Sequence, residues 1–183
     1  MAMTHYKTLF SEYKHGPASF IHMLSKPIAA KRDKALNQND TENLKEALAK
    51  SAKKMSTTLV FYGSHNTDKA LELNHLAYHA KLSVCFIDCQ KLADKYIGET
   101  EKHLSKLVAQ AELENWILFF DEADALIGEI TEIKDTNHKY ANQEVSYLFK
   151  LLSQYPNLSI LALTEKYSLE IIQYAVDSVI SFR

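Results

Sequence analysis

Five short, almost uninterrupted apolar runs dominate the chain from residue 57 onward, and they constrain the fold more than any other feature. They are "TTLVFY" (57–62), "SVCFID" (83–88), "WILFFD" (116–121), "LSILALT" (158–164) and "SVISF" (178–182). Such runs read as buried strands, too short for helices. Between them the spacing turns helical. "KALELNHLAYHA" (69–80) places Leu73, Leu76, Ala77 and Ala80 on one face, and "ETEKHLSKLVAQAELE" (99–114) does so with Leu104, Leu107, Val108 and Ala111. "ANQEVSYLFKLLSQY" (141–155) carries Val145, Leu148 and Leu152, and "SLEIIQYA" adds a short helix. A strand that is apolar at consecutive positions needs cover on both faces. The alternation therefore predicts an α/β fold, a three-layer sandwich around a five-stranded parallel sheet. In such sheets ligands bind beyond the carboxyl ends of the strands.

Residues 1–56 are different: rich in Lys and Asn, with helical spacing in short pieces. They predict a helical N-terminal extension, with 57–183 as the α/β core. "FIHMLSK" is an apolar segment that packs on the core. "KRDKALNQND" reads as a loop. "NDTENLKEALAKSAKK" reads as a helix capped by Asp40 or Thr41, with Leu44, Ala47 and Leu48 on one face. The formal net charge is −2, so no basic face is advertised and nucleic acid is not the expected partner. No run approaches the roughly 18 apolar residues of a membrane span, and the N-terminus lacks the apolar centre of a signal peptide. Cys85 and Cys89 are placed on one strand, roughly 13 Å apart along it, too far for a disulfide. Free thiols suit a reducing cytoplasm, the expected compartment.

Three places can carry chemistry. The first follows the first strand: "GSHNTDKA", residues Gly63, Ser64, His65, Asn66, Thr67, Asp68, Lys69 and Ala70. A phosphate loop reads G-x-x-x-x-G-K-[ST]. The first Gly and the Lys are in place, but the second Gly is Asp68 and the Ser/Thr is Ala70. Such loops turn backbone N–H groups inward at a helix N-terminus. Asn and Asp tolerate left-handed backbone, so the loop shape can survive. Asp68 is nonetheless an anion beside a polyanion, worth about 4 kcal/mol of repulsion at about 4 Å and an effective dielectric of about 20. Ala70 lacks the hydroxyl that ligates Mg²⁺. The plainer reading is a strand-to-helix turn that happens to carry a lysine. The second place is "WILFFDEADAL", with Asp121 and Glu122 directly after an apolar strand. Asp121 there can hold Mg²⁺ or its water, and Glu122 can polarise an attacking water. The alternative is helix capping by Asp121 or Asp124. The third is "DKYIGETEKHLSKL" (94–107), where an aromatic, an apolar residue and a glycine precede a helix. Here the alternative is a loop whose Tyr96 and Ile97 tuck into the core. His75 and His79 have metal-ligand spacing but no third ligand, and are not read as a metal site.

With these motifs in order, residues 57–182 resemble the large α/β subdomain of AAA+ ATPases, a P-loop NTPase-like fold. "KYIGETEKHL", "ILFFDEADAL", "KDTNHKYANQEVSYLFKLL" and "LSILALT" follow that family's pattern. The resemblance implies that Gly63–Ala70 is the Walker A position and Phe119–Glu122 the end of Walker B. It implies that Tyr96, Ile97 and Gly98 match the pore loop with which hexamers grip polypeptide. The departures carry equal weight. Thr164 stands where the family has a sensor Asn. Tyr174 and Ala175 stand where it has two arginines acting across the subunit interface, groups worth about 10³–10⁵ in rate in related sites. The lid subdomain that follows the last strand in the family is expected to be absent, since the chain ends at Arg183. The resemblance thus implies a pseudo-ATPase that binds ATP and Mg²⁺ weakly or not at all. Its expected partner is a protein, either AAA+ subunits in an oligomer or a polypeptide client. The alternative it leaves is a genuine but weak Mg-dependent ATPase, with Lys69, Asp121, Glu122 and Thr164 as its working groups.

Overall fold

A computed structural model of the chain describes residues 11–12, 20–30, 35–95, 99–128 and 138–182. The five apolar runs all form strands: β3 (Thr57–Tyr62), β4 (Val84–Asp88), β5 (Ile117–Asp121), β6 (Leu158–Leu163) and β7 (Ser178–Ser181). They pair in parallel in the order β4-β5-β6-β3-β7. The expected five-stranded parallel sheet is therefore present, with two further strands at one edge.

Those two strands come from the N-terminal segment. Ile21–Leu24 (β2) pairs antiparallel with β4, and Ser11–Glu12 (β1) pairs antiparallel with β2. The segment expected to be a helical extension thus also contributes strands. The apolar "FIHMLSK" buries itself by extending the sheet, with Phe20, Ile21, Met23 and Leu24 all buried. The expected helix does follow, as α1 (Gln38–Ala52), but Asn37 caps it rather than Asp40 or Thr41. The Asn37 side chain accepts from the Asp40 N–H at 2.8 Å. Asp40 instead lies buried, and its carboxylate accepts the Ser181 N–H of β7 at 3.3 Å.

The remaining helices are α2 (Asn66–Ala80), α3 (Cys89–Lys95), α4 (Thr100–Glu114), α5 (Asp124–Gly128), α6 (His138–Gln154) and α7 (Lys166–Ile172). Both α2 and α4 stop at residues in left-handed backbone, Lys81 and Asn115, the usual way to end a helix without glycine. Cys89 opens α3, so the two cysteines do not share a strand; both are buried and free.

The helices cover both faces, as the continuous apolar strands require. On one face α1 and α2 bury Leu44, Ala47, Leu73 and Leu76 against Leu59, Phe61, Phe119 and Ile160. On the other, α3 to α6 bury Leu92, Leu104, Leu107 and Leu148 against Val60, Ile87, Leu118 and Phe120. Neighbouring residues of one strand, such as Leu118 and Phe119, feed opposite faces, which is the period of two of a strand. The α1–α2 face is aromatic. Phe86 stacks on Phe119 at 5.3 Å, and Phe61 meets Phe182 at 4.9 Å. Rings in such contacts add about 0.5–1.5 kcal/mol per pair beyond their buried area.

The topology also fixes where a ligand would sit. After β3 the chain crosses to β4 on one side; after β6 it crosses to β7 on the other. The order reverses between β3 and β6, so a crevice opens beyond their carboxyl ends. Tyr62 and Leu163 are paired there, one residue before Gly63 and Thr164.

Candidate functional site

The crevice begins at Gly63. Its φ is +134°, and its N–H donates to the Leu163 carbonyl at 3.0 Å. A Cβ built at this position would lie 1.9 Å from the Phe182 carbonyl oxygen. Glycine is required here because the end of β7 crosses directly over it.

Beyond Gly63 the loop is short. Ser64 and His65 are exposed, and α2 already begins at Asn66. Sequence spacing put that start at residue 69. Asn66, Thr67 and Asp68 are poor in helix interiors yet acceptable in a first turn, where their side chains compete least with the backbone. As a result Asp68 lies half-buried in the first turn, where the helix dipole favours an acid. The Lys69 N–H is already bonded, to the His65 carbonyl at 3.1 Å. Ala70 is 2% exposed and packs in the α1–α2 core layer.

The Lys69 side chain does not point outward. It is 1% exposed, and its Nζ donates to the Leu163 carbonyl at 3.0 Å, the same oxygen that accepts from Gly63. Burial lowers its pKa, opposed by the nearby charges of Asp121 and Asp124.

The end of β5 supplies the acids. Asp121 is 6% exposed. Burial, with the Glu122 charge beside it, pushes its carboxyl up to about 7. A hydrogen bond from the Glu122 backbone and the charge of Lys69 pull the other way. Glu122 is exposed and adopts left-handed backbone at φ +50°. Asp124, at the start of α5, accepts from the Thr164 N–H at 2.8 Å and the Glu165 N–H at 3.2 Å. The capping alternative is thus met in a different form: Asp124 holds the turn between β6 and α7. Thr164 is exposed, and its backbone N–H is taken by that contact.

The structure therefore brings Gly63, Lys69, Asp121, Asp124 and the Leu163 carbonyl together at one end of the sheet. Tyr96, Ile97 and Gly98 lie outside the described residues. One contributor was not singled out from sequence. Asp88 ends β4 in register with Asp121, caps α3 by accepting the Lys91 N–H at 3.0 Å, and pairs with the Lys91 amine at 3.1 Å. Its signal was available: an acid between an apolar strand and a helix is a capping pattern. At the opposite, amino end of these strands and outside the site, Asp177 joins β7 to β3 by accepting the Thr58 N–H at 2.8 Å and donating its own N–H to the Thr58 carbonyl at 2.8 Å. Tyr174 is 91% exposed.

Comparison with known proteins agrees with this geometry. The family described as ATPase family associated with various cellular activities (AAA) matches residues 59–177. The ATPase family gene 2 protein of Schizosaccharomyces pombe is 36% identical over 75 residues, which are 40% of this chain and 9% of that protein. Crystal structures of the FIGL-1 AAA domain, alone and in complex with ADP, superpose with TM-scores of 0.63 and 0.64 at 18% identity. Each alignment covers 87% of this chain and 57% of the solved one. The chain thus spans under a tenth of the curated relative and a little over half of the solved domains, and the structural likeness is one of fold.

Proposed function

The chain belongs to the AAA family of ATPases, and from that membership we propose that it is a degenerate member, a pseudo-ATPase that serves as a binding or regulatory module with weak or no ATP binding. The observation that carries this reading is the early start of α2. With the helix beginning at Asn66, only three residues, Gly63 to His65, separate it from β3, and the Lys69 N–H bonds to His65 instead of facing a ligand. A phosphate loop needs those N–H groups turned inward.

ATP and Mg²⁺ are the cofactors the family implies, and the residues as they stand do not fit them. The Lys69 amine points into β6. Ala70 brings no hydroxyl and has core packing around it. Asp68 adds negative charge in the loop where a polyanion would sit. The exchange is toward a protein partner, either other AAA subunits or a polypeptide client, with Tyr96, Ile97 and Gly98 as the candidate client-binding residues. Three exposed apolar side chains on and just after α7 support a protein partner: Tyr167, Ile171 and Tyr174 are 54%, 37% and 91% exposed. No helix among the described residues is long and apolar enough to cross a membrane. The two buried free thiols suit a reducing compartment such as the cytoplasm.

Calorimetric titration with ATP and Mg²⁺ tests the reading. The expected result is no saturable heat up to millimolar nucleotide from a folded chain. Saturable binding in the micromolar range would overturn it. One observation favours a second reading, a weak Mg-dependent ATPase acting in protein remodelling: Asp121 and Glu122 stand side by side at the end of β5, near Lys69. That reading requires phosphate release that disappears in Glu122→Gln. Loss of client binding in Tyr96→Ala, with nucleotide having no effect, would locate the client site at Tyr96–Gly98.

A further inference from the structure

We infer that Lys69 is an internal latch: its amine binds the last carbonyl of β6 and ties the start of α2 to it, so that any anionic ligand that would use this lysine must first displace that bond. The inference rests on the pseudo-ATPase reading and deepens it, because it names what holds the lysine.

The Leu163 carbonyl accepts from the Gly63 N–H and from Lys69 Nζ, both at 3.0 Å. A carbonyl has two lone pairs, so both bonds can form at full strength. Gly63 is where the chain leaves β3, and Lys69 is the fourth residue of α2. The two ends of the connection are thus tied to the same atom of β6. The Lys69 N–H also bonds back to His65, closing the connection on itself at 3.1 Å.

Energetics explain why the latch holds. A lysine that is 1% exposed has no water to turn to, and an amine buried without a partner is costly. Leaving Leu163 therefore requires a replacement acceptor. The nearby carboxylates play two parts. Asp121 and Asp124 attract the ammonium where it lies, and they oppose entry of the phosphate-like anion that could replace the carbonyl. Asp124 strengthens the arrangement by fixing the residues just after the acceptor, through the Thr164 and Glu165 N–H groups. Latch and guard are built from the same acids.

Native-state amine labelling of the full chain tests this without a mutation. Under brief reductive methylation with formaldehyde and borohydride, Lys69 should react at least about tenfold more slowly than the exposed Lys81 and Lys102, because it must wait for local opening. Labelling at the rate of the exposed lysines would overturn the latch. A second measurement separates a latch from a merely buried side chain. Lys69→Met keeps much of the length and the apolar stem but cannot donate. Amide hydrogen exchange over residues 63–70 and 163–165 should then quicken by at least about tenfold, with β4 and β5 unchanged. Unchanged exchange in a folded Lys69→Met chain would also overturn the proposal. The two readings fail separately. Saturable ATP binding by calorimetry would defeat the pseudo-ATPase reading while slow labelling of Lys69 in the free chain kept the latch. Fast labelling with no nucleotide heat would do the reverse.

Discussion

Replacing Gly63 by alanine should lower the stability of the chain by several kcal/mol, about 2–6. At φ +134° any residue with a side chain is strained, a term of about 1–3 kcal/mol. The added Cβ would also lie 1.9 Å from the Phe182 oxygen and 2.9 Å from its carbonyl carbon. Those are backbone atoms, so no side-chain rotation relieves the contact, and the end of β7 must shift. Overpacking of this kind costs about 1–3 kcal/mol. The sum is about 2–6 kcal/mol. For a chain of this length each kcal/mol lowers Tm by about 2–4 °C, so a fall of roughly 10 °C is the central expectation. Urea and thermal unfolding, followed by circular dichroism, measure it. The two terms can be separated. In a chain shortened to end at Ser181 the opposing carbonyl is gone, and Gly63→Ala should then cost only the backbone term, about 1–3 kcal/mol. A Tm within the scatter of wild type would refute the reasoning. It would mean that the glycine of the loop is not kept for the strand packed over it.

Three further outcomes follow from the same site. Glu122→Gly removes a left-handed backbone strain at φ +50°, so it should stabilise the chain by about 1 kcal/mol, read as a higher urea midpoint. Asp121 has a folded pKa of about 7, above its ordinary value, so the native state binds the extra proton and stability should fall as pH rises from about 4 to about 7. Asp121→Asn should flatten that fall, checked by urea midpoints at pH 5 and pH 8; a parallel pH profile would exclude burial of the carboxyl as its cause. Asp68→Gly combined with Ala70→Thr should raise ATP affinity by up to about a thousandfold, by removing a nearby anion and restoring a hydroxyl. Since Ala70 is 2% exposed, the same variant should lose about 1–3 kcal/mol of stability to overpacking. No gain in affinity would show that loop chemistry is not what limits binding.

The strands were legible because burial on both faces leaves no room for polar interruptions: all five apolar runs became strands within a residue of their expected ends. Ile21–Leu24 was not legible as a strand. Four residues, three of them apolar, are too few to carry a period, and their partner Val84–Asp88 lies some sixty residues on, so the pairing has no local signature. The same distance effect hid the orientation of Lys69. Its residue type and place after a strand could be read, but its acceptor is a backbone carbonyl 94 residues away, which no side-chain motif announces. Helix starts were misread by up to three residues where polar residues compete for the cap. Asn37 took the role given to Asp40 or Thr41, and α2 claimed Asn66 to Asp68.

The contact between Asp40 and β7 has a consequence for solubility. β7 is an outer strand of the sheet. The Phe182 N–H points inward to Tyr62, so the alternate N–H, of Ser181, faces away from β3, and it is this group that the buried Asp40 carboxylate accepts. Open strand edges are templates for pairing with other chains. Here the N-terminal helix sets a charged side chain on that template, and Lys50 of the same helix reaches Asp177 at the strand's entrance, 3.4 Å away. Helix α1 therefore covers the part of this edge that another strand would need. Asp40→Asn, which keeps an acceptor but not the charge, should self-associate more than wild type, visible as rising light scattering, and Asp40→Ala, which removes the acceptor as well, should do so more strongly; equal scattering from all three would refute the idea.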